Sequence, residues 1–143
     1  MLNVMQTIKD EVVNDAFVRQ MKEFVENVEH ADGLIVFVCN TKSAVRLLTT
    51  FTSQMSLETI RGFVGPAAHA INADALITVM PKGMIDGQLF MRIEIETMLE
   101  RSDVFYPYER DAGVVTWKLP VTTILGESQL VDLLPIPPAM AQA

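Results

Sequence analysis

The stretch Asn72–Thr97, NADALITVMPKGMIDGQLFMRIEIET, reads as two β-strands joined by a short turn that Lys82, Gly83, Asp86 and Gly87 can make. In its second strand Leu89, Met91, Ile93 and Ile95 fall on one face, while Arg92, Glu94 and Glu96 fall on the other. This is the period-two alternation of a half-buried antiparallel strand. A sheet with one dry face follows, and the rest of the chain is read around that hairpin.

Upstream lie two β-rich runs, GLIVFVCN and AVRLLTTFT, separated by Thr41, Lys42 and Ser43, with Asn40 available to start a turn. A hairpin is expected there, although the spacing over Ser43–Thr52 also suits a short helix. The first run is apolar on both faces, so it calls for a central strand covered on one side by a helix and on the other by a second helix or a partner subunit. From Met5 to Glu29, Ile8, Val12, Met21, Val25 and Val28, with Phe17 and Phe24 beside them, recur at three- and four-residue intervals. That is an amphipathic helix, with a break and a new N-cap available at Asn14 and Asp15. Ser56 can cap a second helix whose buried stripe is Ile60, Val64, Ala67 or Ala68, and Ile71, with Glu58 in its first turn. Pro66 predicts a kink near Gly65, or a helix in two pieces.

Downstream, LERSDVFYPYERDAG (Leu99–Gly113) is polar, aromatic and proline-containing, and reads as a long loop before a last strand, GVVTWKLPV. The residues from Leu130 onward alternate apolar and proline positions and favour an extended arm. The resulting order is helix, strand, strand, helix, strand, strand, strand. It predicts an α+β fold with a mainly antiparallel sheet of about five strands and the helices on one face, residues 1–130 forming a single domain and 131–143 a proline-rich tail. The helix leading into ADALITVMPKGM, followed by a strand of the MRIEIET type, resembles a pattern found in small uncharacterised bacterial and phage α+β proteins. The resemblance implies the fold and carries no assigned chemistry.

At 143 residues, half of them hydrophobic, the chain suffices for one core without disulfides or metal. A mean hydropathy of +0.27 is high for a domain that must also present a polar exterior, which predicts apolar surface held in a subunit interface. The net charge of −7 repels a phosphate backbone and disfavours general nucleic-acid binding. Cys39 is the sole cysteine and sits in an apolar run, as a free thiol in a reducing cytoplasm would. MLNVMQTIKDEVV carries acidic residues where a signal peptide needs a basic start, and no window approaches the ~20 apolar residues of a membrane span, so a soluble chain with no membrane attachment is expected.

Two constellations could carry chemistry. Glu94 and Glu96 share a strand face that Asp74 can approach, and convergent carboxylates on a sheet can hold Mg²⁺ for phosphodiester hydrolysis. The lysine of restriction-type nucleases is missing, and the simpler expectation is a solvated face on which Glu94 and Glu96 join Arg92 and pair across strands with Lys118 or Arg46. The second constellation is the loop carrying Arg101, Phe105, Tyr106, Tyr108 and Arg110. Interleaved aromatics and arginines suit a contact surface for protein, bases or small ligands, or else an aromatic mini-core that anchors the loop. His30 and His69 have no partners at metal-ligand spacing, Cys39 lies in no nucleophile signature, and neither GxGxxG nor GxxxxGK[ST] occurs.

Together these features predict a non-enzymatic, homo-oligomeric interaction or structural protein without cofactor, contacting itself or another protein. The alternatives are a metal-dependent hydrolase or nuclease built on Asp74, Glu94 and Glu96, and a small-ligand-binding domain with its pocket between the sheet and a kinked helix.

Overall fold

Asparagine and serine caps divide the helical segments. Asn3 caps α1 (Val4–Thr7), which passes into a π-helical turn, Ile8–Val12; the Asn14 side chain then accepts from Phe17 N–H at 3.0 Å and opens α2 (Asp15–Asn27). The expected break in the N-terminal helix thus falls at Asn14. Ser56 accepts from Thr59 N–H at 3.2 Å to start α3 (Leu57–Ala70). The computed structural model describes residues 3–29, 31–122 and 130–135.

The helix α3 runs through Pro66 as one continuous element, not as two pieces. The residue immediately before the proline, Gly65, has no Cβ for the ring to crowd, so part of the steric conflict that normally ends a helix is removed. It closes in a Schellman motif: Ala73 N–H donates to Ala68 O at 2.8 Å, Asn72 N–H to His69 O at 3.2 Å, and Asn72 adopts φ +52°. From the end of the first strand, β1 (Leu34–Asn40), the Asn40 side-chain amide donates to the Ile71 and Asn72 carbonyls, both at 2.9 Å, which ties the helix end to the sheet.

The strands are β1 (Leu34–Asn40), β2 (Val45–Phe51), β3 (Ala75–Ile85), β4 (Gln88–Glu96), β5 (Arg101–Asp111), β6 (Val114–Trp117) and β7 (Val121–Thr122). They form one antiparallel sheet in the order β2-β1-β3-β4-β5-β6, with β7 also on β5. Seven strands stand where about five were expected: one of the two additional strands arises because the expected last strand is divided into β6 and β7, and the other lies in Leu99–Gly113. That segment is strand β5 and a two-residue turn rather than a loop, with Ala112 and Gly113 both at positive φ. The same turn geometry at Asp86 and Gly87 joins β3 to β4. Between Met80 and Gly83 the register slips by one residue, a bulge that takes in Pro81, where a missing ladder donor is tolerated.

The helices lie on opposite faces of the sheet, not on one. Ile77, Val79, Met91, Ile93, Ile95 and Tyr108 pack with Met5, Ile8, Val12, Phe17 and Val25 of the N-terminal helices. The opposite-facing Val36, Val38, Phe51 and Leu76 pack with Ile60, Val64 and Ala68 of α3. Strand β1 has no polar face, so it needs both layers, and Phe37 meets Phe17 edge to face with centroids 5.3 Å apart. Leu130 and Leu134 also pack on the α3 side, around a 3₁₀ turn at Val131–Leu133, and Asp132 pairs with Arg61. The start of the expected arm is therefore docked, and its remainder, 136–143, lies outside the described residues, as does His30. Among the described residues no helix is long and apolar enough to cross a membrane.

Candidate functional site

Alternation along β4 and β5 brings five charged groups together on the α3 side of the sheet. The register sets Glu96 opposite Arg101, Glu94 opposite Asp103 and Arg92 opposite Phe105. Arg92 grips Asp103 with a two-pronged fork, Nε to Oδ1 at 2.7 Å and Nη2 to Oδ2 at 2.6 Å. The same Nη2 donates to Glu94 Oε2 at 2.6 Å, and Arg101 Nη2 reaches that oxygen at 2.5 Å. Glu96 and Asp103 are only 1% and 2% exposed. This is no solvated face. The pairing expected with Lys118 or Arg46 is also absent: Lys118 bonds to Gln88 and Glu109, and Arg46 lies across from Cys39 on β2.

The charge count explains the protonation. Two arginines face three carboxyl groups, and Glu96 is the one whose oxygens make no hydrogen bond among the described residues. Burial first, then the adjoining Glu94 carboxylate, raises the Glu96 pKa to about 9. Burial alone would raise Glu94 as well, but the Glu96 carboxyl, Arg101 and Arg92 outweigh it and hold Glu94 below its ordinary value. At neutral pH the Glu94–Glu96 pair therefore holds one proton, on Glu96.

Asp74 does not join them. It precedes β3 on the β1 side, where both carboxylate oxygens are taken by Thr41, one by its backbone N–H at 3.0 Å and the other by its hydroxyl. Among the described residues no group of His, Cys, Asp and Glu is arranged to hold a metal ion. His69 is exposed in the last turn of α3. Cys39 is buried, and burial pushes its thiol to about 11, the inert end of thiol behaviour.

The residues expected on one contact loop are divided between the two faces of β5. Arg101 and Phe105 face the α3 side, where Phe105 meets Phe90 at 4.9 Å. Tyr106, Tyr108 and Arg110 face the N-terminal helices: Tyr108 is buried against Trp117 at 4.9 Å, and Arg110 donates to the Val25 carbonyl near the end of α2. Asp103, central to the charged network, went unremarked in the sequence. Its alternation with Arg101 and Phe105 was the available signal, obscured by Pro107 and by the density of polar residues.

The most exposed apolar strand is β2, at one end of the sheet. Leu48 is 60% exposed, and Val45 and Leu47 are also open. Its seven residues contain no proline and no bulge, and one charge, Arg46. The other end of the sheet is blunted by two short strands, β6 and β7, separated by Lys118–Pro120. Beside β2 on the α3 side, Phe63 is 60% exposed and touches Phe51 with ring centroids 6.2 Å apart.

Comparison with models of protein families, with curated proteins and with solved structures finds no match to this chain.

Proposed function

We propose that the chain is a non-enzymatic protein that works as a homo-oligomer, two copies joining through β2. The observation that carries this reading is the β2 edge, uncovered among the described residues: a seven-residue strand at the end of the sheet with Val45 and Leu47 exposed on one face and Leu48 on the other, no proline or bulge, and a protected opposite edge. A second copy laid antiparallel on β2 gives a two-fold, self-complementary interface. A register centred on Leu48 sets Arg46 against Thr50 and Val45 against Phe51, so like charges do not meet. The exposed Phe63 rings flank the same edge and add apolar area to the contact.

The charged network supports a structural rather than a hydrolytic role. Its arginines already neutralise Glu94 and Asp103, and Asp74 is engaged elsewhere. The buried, reduced Cys39 and the acidic surface fit a soluble cytoplasmic assembly.

Light scattering tests the reading. The expected mass is twice 15.9 kDa at micromolar concentration, and Leu48→Lys, which places a charge at the centre of the edge, is expected to give the monomer mass with an unchanged far-ultraviolet spectrum. A wild-type mass of 15.9 kDa at every accessible concentration overturns it.

A further inference from the structure

Lysines on an exposed helix normally extend into water. Lys22 of α2 instead lies over two aromatic rings, its Nζ 5.2 Å from the Tyr106 centroid and 5.1 Å from that of Trp117. The rings come from β5 and β6, and the indole N–H of Trp117 donates to Glu26 Oε1 at 3.2 Å, which sets the plane of the ring. Around them a groove of about 540 Å³ runs between α2 and the sheet, and Asp15, Glu23 and Glu26 share its lining. These carboxylates outnumber the lining cations, Arg19 and Lys22. Burial, and then the negative charge of Asp15, raises the Tyr106 pKa.

We propose that this groove is a binding site for an organic ammonium group, and that Lys22 occupies it in the free protein. The faces of Tyr106 and Trp117 attract a cation through the ring quadrupole, and the surrounding carboxylates add a favourable field. The rings offer a cation no hydrogen bonds. A primary ammonium such as Lys22 is strongly hydrated and gives up more on entering than a quaternary ammonium, whose methyl groups are poorly hydrated and also bury apolar surface. A quaternary ligand therefore displaces Lys22, whose flexible stem lets its charge move to water beside Glu23 and Glu26. The ligand class is an alkylated ammonium, carried either by choline or by a trimethylated lysine side chain.

Trp117 is the sole tryptophan, so its fluorescence reports the site directly. The probes are tetramethylammonium, choline and free trimethyllysine, at constant ionic strength, against 3,3-dimethylbutanol as the neutral counterpart of choline. Saturable quenching by the cations is expected, with no saturation by the alcohol; the tighter of choline and trimethyllysine identifies the source of the group. Lys22→Ala, which removes only the half-buried side chain lying over the rings, is expected to tighten binding several-fold by removing the internal competitor. Tyr106→Leu is expected to weaken it about tenfold or more, with circular dichroism checking that each variant is folded. Failure of every cation to saturate with both the wild type and Lys22→Ala overturns the proposal. So does equal quenching by the alcohol, or weaker binding by a folded Lys22→Ala.

Discussion

Glu96→Gln is expected to stabilise the protein, and increasingly so as pH rises. In the folded chain the Glu96 carboxyl is 1% exposed, its pKa is raised to about 9 by burial and by Glu94, and the ordinary value is 4.5. Between those two values the folded state holds a proton that the unfolded state has released, so stability is fully present below about pH 4.5 and is lost as pH rises toward about 9. The slope for one proton is about 1.4 kcal/mol per pH unit, so the wild type gives up roughly 3 kcal/mol between pH 5 and pH 7.5 through this group alone. Glutamine keeps the shape, carries no charge to bury and can donate its amide hydrogens to Glu94. It therefore avoids the loss. The assay is urea unfolding of both proteins at pH 5, 6, 7 and 8, because subtracting the two curves cancels the titrating groups that do not interact with Glu96. The difference should widen with pH in favour of Glu96→Gln. A difference that stays flat, or a variant less stable than the wild type at pH 8, refutes the shared proton and the charge count behind it.

Ile93 is 2% exposed in the middle of β4, and Ile93→Ala is expected to lower the unfolding free energy by about 2–5 kcal/mol, read by chemical denaturation; a cost under about 0.5 kcal/mol would place the strand in the wrong register. Gly33 opens β1 with φ +96°, and a Cβ there would lie 2.1 Å from the Phe51 carbonyl oxygen. Gly33→Ala must therefore push the β1–β2 hairpin apart, and is expected to lower the thermal midpoint and to weaken the dimer that β2 forms, both measurable in one light-scattering melt.

The local features were written in the sequence because their causes are local. Alternation in Asn72–Thr97 defines the β3–β4 pair, since neighbouring side chains on a strand must point to opposite sides wherever the strand lies. Asn14 and Ser56 cap helices through hydrogen bonds to backbone three residues away, and Asp86–Gly87 supplies its own turn. The two apolar faces of GLIVFVCN call for a cover on each side, whereas the order of elements alone predicts helices on one face. Tertiary structure decided what the alternation on β4 means. The Arg92–Glu94–Glu96 face has the pattern of a wet surface, yet β5 brings Arg101 and Asp103 against it, so that Glu96 and Asp103 are buried and Arg92, Glu94 and Arg101 half-buried. Period-two spacing states which residues share a face, not whether that face meets water. Strand β5 itself was hidden because Pro107 and the clustered charges lower strand propensity, and ladder pairing with β4 along Arg101–Tyr108 overrides that local preference. Pro66 shows the same division: its own chemistry argues for a break, while the absence of a Cβ at Gly65 and the packing of Val64 and Ala68 against the sheet keep α3 continuous.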